Sequence, residues 1–145
     1  MKVTIIKLAA LLAIAVSFTA CVKEETPKTA NETFVPMATD SLIYSGSFVD
    51  APSHDASGTV EVYENNSSRT LSFKNFRGDN GPDLRVYLST NSSASDFVEL
   101  GNLTAVQGDF SYTVDASVDL DVYSTVLIWC EDFSVNFGTA ALQKL

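Results

Sequence analysis

The side chains best suited to redox or metal chemistry are scarce in this sequence: two cysteines, Cys21 and Cys130, and one histidine, His54. Cys130 closes the apolar run Val126-Leu127-Ile128-Trp129-Cys130. Leftover thiols in exported proteins tend to be paired, liganded or reactive, so Cys130 is the first candidate for a redox thiol. The adjacent acids Glu131 and Asp132 argue against a hydrolase-type nucleophile, because negative neighbours disfavour a thiolate. The competing reading is a small buried hydrophobe, a common use of free cysteine. A single histidine excludes any site that needs two imidazoles. His54 is the candidate cofactor-binding residue: with Cys130 it could form part of a copper or haem site, but a thiolate and one imidazole fall short of a blue-copper ligand set unless Met37 or another group joins them. The simpler reading of His54 is a loop residue held by a hydrogen bond. Asp79, Asn80 and Asp83 could offer oxygen ligands, but they lack EF-hand spacing and read as turn caps. No serine sits in a nucleophile-elbow glycine frame, so a hydrolase has no support.

Cys21 belongs to a different kind of chemistry. Residues 1–20 read as an export signal, with basic Lys2 and Lys7, an apolar run Leu8 to Val16 too short to span a bilayer, and small Thr19-Ala20. Phe18-Thr19-Ala20-Cys21 resembles a bacterial lipobox, with Phe18 where Leu, Val or Ile usually opens the motif. That resemblance implies lipid attachment at Cys21 and anchoring to, without crossing of, a membrane. Each buried methylene contributes about 0.8 kcal/mol, so several acyl chains hold far better than one. The alternative is a plain secretory signal cut near the same place. Lys23-Glu24-Glu25 resembles a signal for the outer face of the outer membrane, which makes the expected location the cell envelope. Residues 21–40 are rich in Thr, Glu, Lys, Pro and Asn and read as a flexible tether.

Formal net charge is −9, and removal of residues 1–20 takes away two lysines and no acid, leaving 7 basic against 18 acidic side chains. Such a balance disfavours nucleic acid and anionic surfaces as partners.

What positions Cys130 and His54 must be built from strands. The run 126–130 is apolar without polar alternation, as expected of a central strand buried on both faces. Alternation puts Val126, Ile128 and Cys130 on one face and Leu127 and Trp129 on the other, with the thiol at the strand's exit near solvent. Further strands are expected at 42–49, 59–63, 70–74, 84–89, 97–100, 110–114 and 135–142, separated by Gly, Asn, Asp, Ser and Pro turns. Strands 59–63 and 70–74 read as a hairpin, and 119–123 as a single helical turn. Residues 41–145 are therefore expected to form one all-β domain, an antiparallel sandwich or barrel-like fold of seven to eight short strands. A disulfide-bridged immunoglobulin sandwich is excluded, since the domain holds one cysteine.

Several motifs now add up. His54, Ser57-Gly58, Asn75-Phe76, Gly81-Pro82-Asp83-Leu84-Arg85-Val86-Tyr87-Leu88, Leu100-Gly101, Tyr112, Ile128-Trp129-Cys130, Phe133 and Phe137-Gly138 together resemble the DM-thirteen domain, also called the electron-transfer DM-thirteen domain. Gly-Pro-Asp-Leu followed far downstream by Trp-Cys is the specific part of the pattern. The resemblance runs from about Gly46 to Leu142, with Ala141 where a proline is expected. It implies a small extracytoplasmic β domain with a proposed redox or electron-transfer role through the cysteine that Cys130 matches. It also implies partners that carry haem-binding modules or cytochromes, so any haem or copper would come through a partner. The expected function is thus a membrane-anchored redox accessory domain rather than an enzyme on its own. Its rival is a non-catalytic ligand-binding or structural module whose cysteine only packs.

Overall fold

The computed structural model describes residues 26–145. The export signal and Cys21 lie outside the described residues. Ten strands follow one another: β1 (Ala30–Asn31), β2 (Ser41–Val49), β3 (Ala56–Glu64), β4 (Arg69–Gly78), β5 (Leu84–Ser89), β6 (Phe97–Asn102), β7 (Gln107–Val114), β8 (Thr125–Cys130), β9 (Val135–Ala141) and β10 (Gln143–Lys144). Among the described residues there is no helix, and so none long and apolar enough to cross a membrane. The eight longer strands are those the alternating pattern predicts. β1 and β10 have two residues each, too few to carry a period. The stretch 119–123 makes a hydrogen-bonded turn, in which the Tyr123 N–H donates to the Asp119 carbonyl at 2.8 Å, but it does not go on to a helix.

Local chemistry explains the connections. β3 and β4 form the expected antiparallel hairpin, and Asn65 closes it by accepting the N–H groups of Ser67 and Ser68 on its side-chain oxygen, each at 2.9 Å. Val60 and Val62 on β3 and Leu71 and Phe73 on β4 are fully buried on the inner face.

The strands form one sheet in the order β1-β7-β4-β3-β2-β9-β8-β5-β6, with β10 also pairing β2. Every pairing is antiparallel except that of β1 with β7. β9 and β10 lie along β2 in a single register, interrupted opposite Gly46 and Ser47. A Cβ on Gly46 would come within 2.5 Å of the Ala141 carbonyl oxygen, so glycine permits this close approach.

Of the sandwich and barrel-like folds expected, the structure accords with the second, because β2 bridges β3 and β9 and keeps the sheet continuous. The sheet curls into a half-barrel around its own inner face. That face carries Phe48, Phe73, Phe76 and Phe110, whose rings meet at centroid separations of 4.7 to 5.8 Å. No ladder joins β6 to β7 among the described residues. Tyr112 ties them instead: its hydroxyl donates to the Asn102 carbonyl (3.0 Å) and accepts the Thr104 N–H (2.9 Å).

The stretch predicted as a flexible tether behaves differently from residue 27 onward. The Pro27 carbonyl accepts the Val106 N–H, β1 runs parallel to β7, and the Phe34 ring packs 5.3 Å from that of Tyr63. Tyr63, which alternation with the inward Val60 and Val62 places on the outer face of β3, is consequently buried. A composition poor in apolar residues hides this docking, because backbone hydrogen bonds and one aromatic contact carry it.

Candidate functional site

The two halves of the Gly-Pro-Asp-Leu and Trp-Cys pattern lie side by side in the sheet. β5 pairs with β8 so that Leu84 stands opposite Cys130 and Arg85 opposite Trp129, and the Glu131 N–H donates to the Asp83 carbonyl at 2.9 Å. On its other edge β8 pairs Cys130 with Val135 of β9. Leu84 and Cys130 share the inner face, as directly paired residues do.

The thiol is at the strand's end, as expected, but it is not near solvent. Cys130 has 0 % exposure and belongs to the main apolar cluster with Leu84, Val126, Ile128 and Phe137. The correction has a simple cause: alternation puts the thiol on the concave inner face, which the curl of the sheet fills with the apolar cluster out to the strand's end. The acidic neighbours also sit differently from their sequence adjacency. Glu131 projects on the opposite face of the chain from Cys130, where the Tyr87 hydroxyl donates to its carboxylate. Tyr87 is itself fully buried, with the Phe97 ring stacked on it at 4.0 Å.

His54 lies in the loop between β2 and β3, where its backbone pairs with Ala51 through N–H···O bonds of 3.0 and 3.1 Å. Its ring is half-buried and stacks on Phe137, with centroids 3.6 Å apart and planes at 15°. Its Nδ1 stands 3.4 Å from Asp79 Oδ2. Asp79 in turn accepts the Asp55 N–H at 3.2 Å, so it works as a loop brace. Asp83 binds the Arg85 guanidinium at 2.6 Å, and Arg85 reaches on to Glu99 at 2.6 Å. The hydrogen bonds that the guanidinium donates to Asp83 and then to Glu99 hold its pKa well above its ordinary value.

His54 and Cys130 therefore occupy one end of the half-barrel without touching as a ligand pair. Phe137 links them: it stacks on His54, and beside Gly81 it approaches Leu84, the residue paired with Cys130. A Cβ on Gly81 would lie 2.9 Å from Leu84 Cδ2 and 3.1 Å from Phe137, so this glycine makes room for their meeting. Among the described residues no group of three or more His, Cys, Asp or Glu side chains gathers to hold a metal. Met37 is exposed, in the segment docked on the outer face. Phe137 had no assigned role in the sequence reading, although Phe137-Gly138 is part of the pattern that carries the resemblance.

The family model described as "Electron transfer DM13" matches residues 47–142. The chain belongs to this family. The match runs from the end of β2 through β9, hence over His54, the Gly81-Pro82-Asp83-Leu84 loop and Cys130, while β1, its docked segment and most of β2 precede it. No curated protein and no solved structure matches the chain. Membership of the DM13 family suggests a redox role.

Proposed function

We propose that this DM13 protein is a lipid-anchored, extracytoplasmic electron-transfer accessory domain whose redox group is the Cys130 thiol. The observation that carries the reading is the DM13 match across 47–142, which includes Cys130, the free thiol of the described residues. The thiol's burial restricts the chemistry. A partner can reach it only after local opening of the turn 131–134 that follows β8, where Phe133 is already two-thirds exposed. Asp50, Asp55, Asp79 and Glu131 are exposed around the same end, which favours a partner with a basic surface. In this reading the haem or copper is the partner's, and His54 with Phe137 forms the wall between the partner and the thiol. Anchoring through Cys21 would keep the module at the envelope, at the outer membrane.

Complete burial of Cys130 within the apolar cluster favours a second reading, in which the thiol only packs. Alkylation of the native protein separates the two. In the redox case Cys130 is alkylated far below the denaturant concentration of global unfolding and, in a parallel reaction with a small disulfide, exchanges to a mixed disulfide with release of the reagent's other half as a thiolate, which a thiol reductant reverses. Cys130→Ser then keeps its fold and loses that cycle. An inert native thiol, together with a Cys130→Ser protein weakened by about 1–3 kcal/mol, would overturn the redox assignment. For the anchor, Cys21→Ser is expected to shift the protein from the membrane fraction to soluble or precursor form in bacterial cells. Unchanged membrane retention, with no acyl chain on the wild type, would refute it.

A further inference from the structure

The outer face of the sheet carries a feature that the thiol chemistry leaves unused. A trough of about 740 Å³ lies over the interrupted ladder between β2 and β9–β10. Its walls are Ser45 and Ser47 of β2, Thr59 of β3, Thr125 of β8, Thr139 of β9 and Gln143 of β10. These side chains face outward because their strand neighbours Tyr44, Phe48, Val60, Val126, Ala140 and Leu142 are buried inside. At Ser92, in the loop between β5 and β6, the trough meets a second one of about 530 Å³. The second is floored by Trp129 and flanked by Pro52, Val135 and Asn136. The two share Ser92 in their linings; the first offers hydroxyl and amide groups and the second the indole of Trp129. Val49 and Val135 add aliphatic surface and are 58 % and 38 % exposed.

The lining selects a ligand class. Hydroxyl and amide side chains each both donate and accept, which matches a ligand with many hydroxyl groups. An indole beside them offers a flat apolar face to the C–H side of a sugar ring. The carboxylate in the first trough, Glu61, is already engaged by Lys74 and by the Tyr63 hydroxyl, the latter at 2.6 Å. Among the described residues lining either trough there is no Lys or Arg. With the protein's strong negative charge, this disfavours an anionic polymer. Each trough alone lies within the range of ligand sites, about 300–1,000 Å³, and both are open to solvent, which suits a chain rather than a compact small molecule.

We propose that this outer-face trough binds a neutral oligosaccharide chain, with Trp129 as the stacking platform and Ser47, Thr125 and Thr139 as hydrogen-bonding positions.

Trp129 is the single tryptophan of the chain, so intrinsic fluorescence reports on this site alone. The full-length protein is titrated with neutral gluco-, manno-, galacto- and chito-hexasaccharides up to about 10 mM, a range that covers a Kd near 1 mM. A saturable change in Trp129 emission with at least one of them is expected. By calorimetry, Trp129→Ala and Thr139→Val should each weaken that binding by about tenfold or more while circular dichroism stays native. Thr139→Val keeps the side-chain volume, so its loss of binding cannot be charged to misfolding. No saturable response across the panel overturns the proposal, as does binding that both variants retain or that is confined to anionic polysaccharides.

Discussion

At the level of single residues, neighbours in sequence and neighbours in space part company around Cys130. Glu131 follows it directly, yet its carboxylate is bound by Tyr87 on the other face, while Leu84, 46 positions earlier, stands opposite the thiol. Leu84 is 2 % exposed, and its side chain and that of Phe137 both stand beside Gly81 in the same apolar cluster. Leu84→Ala would remove the packing next to Cys130 and is expected to cost about 2–5 kcal/mol in denaturant unfolding. If the thiol is reached by local opening, the same variant should speed alkylation of Cys130 by more than about tenfold, since 1.4 kcal/mol corresponds to a factor of ten. A destabilised variant with an unchanged alkylation rate would mean that the thiol is reached by some other route.

Among the elements, β1 is the one whose presence rests on a single glycine. Gly108 in β7 has φ +122°, and a Cβ there would fall 1.8 Å from the Ala30 carbonyl oxygen. Any side chain at this position both strains the backbone and pushes β1 off the sheet. The strap has other holds: the Glu32 N–H donates to the Asp109 carbonyl at 2.8 Å, and Thr33 Oγ1 to Asp109 Oδ2 at 3.0 Å. Gly108→Ala is therefore expected to raise amide exchange over residues 27–34 by at least about tenfold, while the exchange of β8 and β9 stays native. Protection in 27–34 equal to wild type would show that the Asp109 contacts hold the strap without β1.

For the whole molecule, the balance of ion pairs sets the pH window of stability. Burial pushes the Glu61 carboxyl up, but hydrogen bonds from Lys74 and Tyr63 outweigh it and hold the group below its ordinary value. Asp121, bonded by Tyr44 and Lys144, and Asp115, bonded by Ser117, are likewise held low. Groups whose folded values are depressed stabilise the fold above their unfolded values, and that contribution is lost as pH falls through the folded ones. On the basic side, Glu61 holds Lys74 up and Asp121 holds Lys144 up. Tyr44 is raised first by Asp121 and Tyr63 first by burial. These four contribute below their unfolded values, and the contribution is lost as pH rises through the folded ones. The melting temperature should therefore hold a plateau from about pH 5 to pH 9 and decline on both sides. Lys74→Met should lower the plateau and flatten both declines. Closure of the curl is a second property of the whole molecule. Burial pushes the Tyr112 hydroxyl's pKa up, partly offset by its hydrogen bonds with Thr104, and Tyr112→Phe would leave the Thr104 N–H and the Asn102 carbonyl unpaired, a loss of about 1–2 kcal/mol measurable by urea unfolding.

The eight longer strands and the family were legible in the order of residues alone. Inward Val60, Val62, Leu71 and Phe73 alternate with polar neighbours, and alternation is a local property that needs no partner strand to be read. The Gly81-Pro82-Asp83-Leu84 and Trp129-Cys130 motifs were equally legible, as was the thiol's place at the end of β8. Only the tertiary structure decided whether the sheet splits or curls, because that depends on β2 pairing with both β3 and β9, a long-range choice with no local pattern. It also decided the burial of Cys130, because the cluster that surrounds the thiol includes Leu84, brought opposite it from a distant strand, and Phe137 from across a turn. The docking of residues 27–34 was hidden for a related reason: backbone hydrogen bonds to β7 do not depend on side-chain type, so composition predicted a free tether where the fold supplies a strap.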